Sequence, residues 1–134
     1  MRITQVSAFM ENRPGRMLHV FNLLSEANIN LVAHNIVDAA DFGILHMLVD
    51  QPALAMQVLR DAGLTCRSTL VLEVTVPDEA GAFVHRVLRP LAEANVNIEY
   101  SYAYSSQCEG EARSVIKVDD LERAEQVLKG LIDG

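Results

Sequence analysis

The sequence predicts an α+β chain of two successive units, residues 1–68 and 69–134, each an antiparallel sheet with helices on one face. Three observations predict it. First, the chain repeats itself. Glu26-Ala27-Asn28-Ile29-Asn30 returns as Glu93-Ala94-Asn95-Val96-Asn97 at an offset of 67, and Gly15 and His19 return as Gly81 and His85 at 66. Ala55-Met56-Gln57-Val58-Leu59 returns as Ala124-Glu125-Gln126-Val127-Leu128 at 69, so only small insertions separate the copies. A self-similar period of this kind is one structural unit written twice. Second, apolar residues alternate or run together in some segments and recur every three to four residues in others, the periods of strands and helices. Third, Pro and Gly fall where one pattern gives way to the other.

The elements follow in order. Ile3 to Phe9 reads as a strand. Met17, Val20, Phe21 and Leu24 recur at i, i+3, i+4 and i+7, one apolar face of a helix. Ile29 to Val37 and Phe42 to Val49 are two strands, joined by a turn at Ala39-Ala40-Asp41 with Gly43 close behind. Pro52 suits a helix start and Gly63 a helix stop, with Leu54, Ala55, Val58, Leu59 and Ala62 as the buried stripe. Leu64 to Arg67 is a short strand leading almost directly into the second copy, which opens with a strand at Val71 to Val76. Strand–helix–strand steps are right-handed and give parallel neighbours, and the hairpin adds an antiparallel one. The result is the βαββαβ, split βαβ or ferredoxin-like plan.

The second copy departs in detail. Its first helix holds one extra residue between Gly81 and Ala94, and Pro90 lies inside it. Proline frees a carbonyl about one turn back, so a kink or π-bulge is expected. Little or no chain remains before Gly134 for a last strand. In the first hairpin Val32, Ile36, Ile44 and Leu48 fall on one face and Leu31, Val37, Leu45, Met47 and Val49 on the other. A sheet with one wet face alternates more cleanly, so a second buried surface is expected, between the repeats or in a homodimer.

Composition narrows the function. Of 134 residues half are apolar, and none is Trp. Units of roughly 60–70 residues bury thin cores and lean on each other. The formal charge is −7, and the eleven Lys and Arg are scattered, which argues against nucleic acid. Met1 leads straight into a strand pattern, and no run approaches ~18 apolar residues, so neither a signal peptide nor a membrane span is expected. Cys66 and Cys108 lie far apart without a CxxC pattern and read as reduced thiols, which with the missing signal points to the cytoplasm.

The junction Glu11-Asn12-Arg13-Pro14-Gly15-Arg16 carries the functional signal. It closes a strand and opens a helix, as Asp78-Glu79-Ala80-Gly81 does in the second copy. Pro14 fits the first turn, where its missing N–H costs nothing. Gly15 lets a ligand or another backbone come close. The N–H groups of Gly15, Arg16 and Met17 have no intrahelical acceptors and, with the helix dipole, suit an anion such as a carboxylate. The same residues are also a cap and turn, which accounts for them without a ligand.

Together, the junction Glu11–Met17, the Asp41-Phe42-Gly43-Ile44 segment, the Ala-Asn-Ile-Asn and Ala-Asn-Val-Asn strand entries and the βαββαβ plan resemble the ACT domain family, twice over and across essentially the whole chain. The resemblance implies a small ligand-sensing module, akin to short proteins of two ACT units without a catalytic domain, that binds a free amino acid and regulates a metabolic enzyme. It implies a site at the interface of two units, with the loop before the first helix of one facing the second-strand start of its neighbour. That points to Asn12, Arg13, Pro14, Gly15, Arg16, Met17 and Asn30, with Asp78, Glu79, Ala80, Gly81, Ala82, Phe83 and Asn97 as counterparts. Backbone N–H groups near Gly15 to Met17 would hold the ligand carboxylate, and oxygens of Asn12, Asn30, Asn97 or Asp78 the ammonium. Asp78 would repel a carboxylate, which sets the second site apart from the first.

Other residues carry less. A three-residue turn pairs positions summing to 80 and sets His34 opposite His46, but Asp38 and Asp50 are too distant to complete a metal shell. Tyr100, Tyr102 and Tyr104 form a one-face stripe, suited to packing where a basic groove is lacking. His19 and His85 read as helix surface, and Asp119 or Asp120 as a helix cap. There is no Ser-His-Asp or Cys-His arrangement, phosphate loop or metal motif, so neither an enzyme nor a cofactor is expected. The expectation is a regulatory amino-acid sensor, a homodimer with a metabolic enzyme as partner. A ligand-free interaction module or regulatory subunit is the alternative.

Overall fold

The computed structural model describes residues 2–132. Its elements are β1 (Arg2–Glu11), α1 (Arg16–Glu26), β2 (Leu31–Ala39), β3 (Phe42–Val49), α2 (Pro52–Asp61), β4 (Thr65–Pro77), a π-helical turn (Val84–Leu88) running into α3 (Arg89–Glu93), β5 (Ile98–Tyr104), β6 (Glu111–Val118) and α4 (Leu121–Ile132). Two compact units result. One is Thr4–Thr69; the other holds the described residues from Leu70 onward together with Arg2 and Ile3. Both are antiparallel, with the order β2-β3-β1 in the first and β4-β6-β5 in the second, as two ferredoxin-like units in tandem require.

In the first unit the helix-facing side of the sheet presents Val6, Ala8, Met10, Leu45 and Met47. Against them pack Val20 and Leu24 of α1 and Ala55, Met56 and Leu59 of α2. The second unit repeats the arrangement with Leu72, Val74, Val76, Ile116 and Val118 under Val87, Leu91, Ala124 and Leu128. Each large aliphatic side chain buried this way contributes about 1.5–3 kcal/mol before entropy is counted. Residues on the opposite sheet faces are buried too, among them Gln5, Ser7, His46 and Leu48 in one unit and Val71, Tyr102 and Val115 in the other.

The duplicated Glu-Ala-Asn motif is a helix stop. Asn28 and Asn95 take left-handed backbones, φ 57° and 60°. The Asn28 N–H donates to the Ser25 carbonyl at 3.0 Å and the Ile29 N–H to Leu24 at 2.9 Å. Asn95 repeats this on Ala92 at 3.0 Å and Val96 on Leu91 at 2.9 Å. Asn tolerates this conformation better than other side chains, which is why the motif survives in both copies. The π turn at Val84–Leu88 answers the extra residue and Pro90, as the sequence led us to expect.

Five expectations are corrected. The β2–β3 connection is a two-residue turn, with Ala39 opposite Phe42 and Ala40 at φ 60°, so paired positions sum to 81 rather than 80. His46 therefore faces Asn35, and His34 faces Met47 on the other side of the sheet. The same slip puts Ile36 with Leu45 and Val37 with Ile44, because a one-residue shift reverses every face. In α2 Met56 is buried while Leu54 and Ala62 are exposed. Leu64–Arg67 and Val71–Val76 are not two strands; β4 runs unbroken from Thr65 to Pro77. A last strand after α4 would fall at residues outside those described.

Candidate functional site

The two strand-to-helix loops are copies of one another, hydrogen bond for hydrogen bond. The Arg13 N–H reaches the Glu11 carbonyl at 2.9 Å, and Glu79 reaches Pro77 at 2.9 Å. Arg16 donates to Arg13 at 3.3 Å, and Ala82 to Glu79 at 3.2 Å. His19 closes onto Gly15 at 3.0 Å, and His85 onto Gly81 at 2.9 Å. The loops are tied back by Asn12 N–H to Asp41 at 3.4 Å and Asp78 N–H to Gly110 at 2.8 Å. Gly15 and Gly81 sit at φ 87° and 83°, where an L side chain is strained.

This geometry revises the donor set. Arg16 N–H, expected to point outward, is turned into the loop. The first helical bond is the one from His19, so the N–H groups of Met17 and Leu18 lie ahead of it, next to that of Gly15. No side chain caps α1. Asn12, the residue that could have capped it, donates instead to Asp38 Oδ1 at 3.1 Å. The loop is therefore a turn closed by its own backbone rather than a side-chain cap.

The two loops differ in charge. Arg13 and Arg16 both approach Glu11, the second at 3.7 Å, and with Pro14 and Gly15 they line a shallow cavity of about 340 Å³. The second loop offers Asp78, Glu79 and Ala80, all exposed, and no cation of its own. The helix dipole supplies only ~0.3–1 kcal/mol, so the neighbouring charges decide which loop suits an anion. The first does; the second does so less. Met17 and Phe83, in matching positions, are half-buried and packed on their cores, and Ala82 is buried.

Asn30 and Asn97 hold a second duplicated arrangement. The Asn30 N–H donates to Asp50 Oδ1 at 3.0 Å, and the Asp50 N–H returns to the Asn30 carbonyl at 3.1 Å. Asn97 and Asp119 repeat both bonds at 3.0 and 3.1 Å. Within one unit the loop and Asn30 stand at opposite ends of α1, about 16 Å apart for its 11 residues. A single unit thus does not bring all the predicted residues together. Beside Asn30 lies a cleft of about 360 Å³ lined by Phe21, Leu24, Ser25, Asn28, Ile29, Leu31 and Asp50. The sequence reading missed Phe21, Ser25 and Asp50 here. The repeat of Val49-Asp50 as Val118-Asp119 was the signal that could have found the aspartate.

His34 and His46 make no common site. His34 meets Phe21 edge-on at 5.4 Å. His46 is buried on the other face, its Nδ1 2.8 Å from Ser7 Oγ and 3.2 Å from Gln5 Nε2. With the Gln5 amide nitrogen as donor, Nδ1 is placed to accept. Burial pushes its pKa below the usual imidazole value. Among the described residues no group of three or more His, Cys, Asp and Glu is placed to hold a metal. No helix among them is long and apolar enough to cross a membrane. Asp120 caps α4 through the Arg123 N–H at 3.1 Å, whereas Asp119 serves Asn97. Tyr104 bonds to Glu73 and lies under the Arg113 guanidinium, 4.3 Å from its ring centre.

A family model described as an ACT domain pair matches residues 1–131. The chain belongs to the ACT domain pair family. It is similar to protein BT0572 of Bacteroides thetaiotaomicron, at 34% identity and a TM-score of 0.90 over 97% of this chain and 88% of that one. The regulatory subunit of aspartate kinase from Thermus thermophilus, in its ligand-free form, shares 19% identity at a TM-score of 0.65, over 94% and 88% of the two chains. The same subunit from Thermus flavus shares 17% at 0.64, over 98% and 93%. At these identities the two subunits show the fold alone. No curated protein matches the sequence.

Proposed function

We propose that this ACT domain pair is a regulatory sensor that binds a free amino acid, with residues 1–68 and 69–134 as its two sensing units. The ligand carboxylate sits on the N–H groups of Gly15, Met17 and Leu18. Its ammonium is taken by oxygens of Asn12, Asn30, Asn97 or Asp78, with the loop of one ACT unit facing the second-strand start of another. Arg13, Pro14 and Arg16 border this loop; Glu79, Ala80, Gly81, Ala82 and Phe83 form its counterpart. Met17, Phe83 and the small residues beside them favour a branched-chain or aromatic ligand. Binding shifts the population of one state of the protein's contacts with a metabolic enzyme, or with a second copy in a homodimer, because the ligand prefers that state. The protein works without a cofactor, in the cytoplasm.

One observation carries this reading: both loops reproduce the same bonds around a left-handed glycine, yet neither uses a side chain to cap the helix that follows. A thermal-shift screen of the twenty amino acids at millimolar concentration tests it. Stabilisation by at least one of them is expected, since a ligand of the native state adds RT ln(1 + [L]/Kd).

A second reading, an interaction module without a small ligand, is favoured by the β2–β3 hairpin, where Val32, Ile36, Val37 and Phe42 are each more than 40% exposed. A co-purifying enzyme together with no response to any amino acid selects it.

A further inference from the structure

We propose that the cleft at the carboxy-terminal end of α1 binds a small primary amine with an apolar tail. Phe21, Leu24, Ile29 and Leu31 give the cleft an apolar wall, and Ser25, Asn28, Asn30 and Asp50 a polar rim. Its volume of about 360 Å³ accommodates a branched C4–C5 amine with room for water.

The charge of the cleft is one-sided. The last turn of α1 contains no basic residue, although a cation is what the negative end of a helix dipole favours. Glu26 stands there instead. Asp50 adds a full negative charge at the rim. One of its oxygens accepts the Asn30 N–H, and among the described residues Asp50 enters no ion pair. An ammonium placed at the rim meets the Asp50 carboxylate, the Ser25 hydroxyl and the Asn28 side-chain amide, while its tail covers the apolar wall. A carboxylate in the same place could accept from the Ser25 hydroxyl and the Asn28 amide, but it stands against the Asp50 carboxylate and the negative end of the helix. At the matching positions of the second unit Ser25 becomes Ala92 and Phe21 becomes Leu88, so both the hydroxyl and the aromatic wall are lost.

The cleft stands apart from the loop reading. It shares Asn30 with it but needs neither Gly15 nor Gly81, and it lies about 16 Å along α1 from the first loop. Isobutylamine is the probe and isovalerate the anionic control, titrated into isotopically labelled protein while backbone amide shifts are followed. Saturable shifts clustered at residues 21–31 and 50 are expected with isobutylamine in the millimolar range, and none with isovalerate. Asp50→Asn keeps an acceptor for Asn30 and removes the charge; it should weaken the amine about fivefold or more. Ser25→Lys, which favours the helix end, should abolish binding by placing an ammonium at the rim. Asp119→Asn should change nothing. Gly15→Asp should leave amine binding intact even where it abolishes amino-acid binding, so the two readings fail separately. No shifts with isobutylamine, equal shifts with isovalerate, or shifts indifferent to both Asp50→Asn and Ser25→Lys would overturn the proposal.

Discussion

Asp50 and Asn30 exchange two hydrogen bonds, carboxylate to N–H at 3.0 Å and N–H to carbonyl at 3.1 Å, and so pin the end of β3 to the start of β2. Asp119 and Asn97 do the same in the second unit. The second Asn of each Asn-x-Asn motif is thereby held by its backbone, which leaves its exposed side chain available to a ligand.

The first prediction concerns that pair. Asp50→Ala and Asp119→Ala should each cost about 1 kcal/mol, because one N–H loses its acceptor at an exposed site. The Asp→Asn variants should cost less, since an amide oxygen still accepts. Denaturant titration of the four variants decides it; equal losses for Ala and Asn would mean that charge rather than the hydrogen bond is what matters.

Gly15→Ala and Gly81→Ala should each destabilise by about 1–2 kcal/mol, the cost of a left-handed backbone with a Cβ. A Cβ at Gly15 meets nothing within 4 Å, whereas at Gly81 it meets the His85 ring at 3.3 Å. Gly81→Ala should therefore be the worse of the two, and His85→Ala should recover part of the difference in a double-mutant cycle.

His46 makes stability depend on pH. Its folded pKa lies below the unfolded value of ~6.5 because burial penalises the imidazolium. Between those two values the unfolded chain binds a proton that the folded chain does not. Stability should thus be full above the unfolded pKa and fall as pH drops through it, levelling off below the folded pKa. His46→Gln should lose this fall, by up to one proton in the slope of unfolding free energy against pH. An unchanged slope would show that folding leaves the His46 pKa where it is in the unfolded chain.

Pro90 should be nearly neutral to remove. A proline inside a regular helix costs ~3 kcal/mol or more. Here the π turn at Val84–Leu88 already absorbs the missing bond and the extra residue. Pro90→Ala should gain less than about 1 kcal/mol by chemical denaturation, and a gain near 3 would show that the turn is strained by the proline.

The repeat was legible in the sequence because its residues do backbone work. Asn28, Asn95, Gly15 and Gly81 occupy left-handed positions that few residues tolerate, so the pattern is written in residue type. Gly63 was legible for the same reason, and Pro52 because its missing N–H fits the first turn of α2. The hairpin register was not. Ala40 takes a left-handed turn position without the Gly or Asn that would announce it, and one residue of slip placed His34 and His46 on the wrong faces. The unity of β4 was hidden by Ser68 and Thr69, polar residues that read as a break between two apolar runs. The α1 cleft was hidden because it joins Phe21 and Ser25 to Asp50, segments that only the fold brings side by side.

Titration calorimetry of the full chain with each of the twenty amino acids, repeated on Asn12→Ala and Gly15→Asp, tests the sensor account most directly. The account predicts saturable heat from at least one amino acid at millimolar or lower concentration, weakened by Asn12→Ala and abolished by Gly15→Asp, whose carboxylate faces that of the ligand. No heat from any of the twenty, or a ligand bound equally by wild type and both variants, would contradict it.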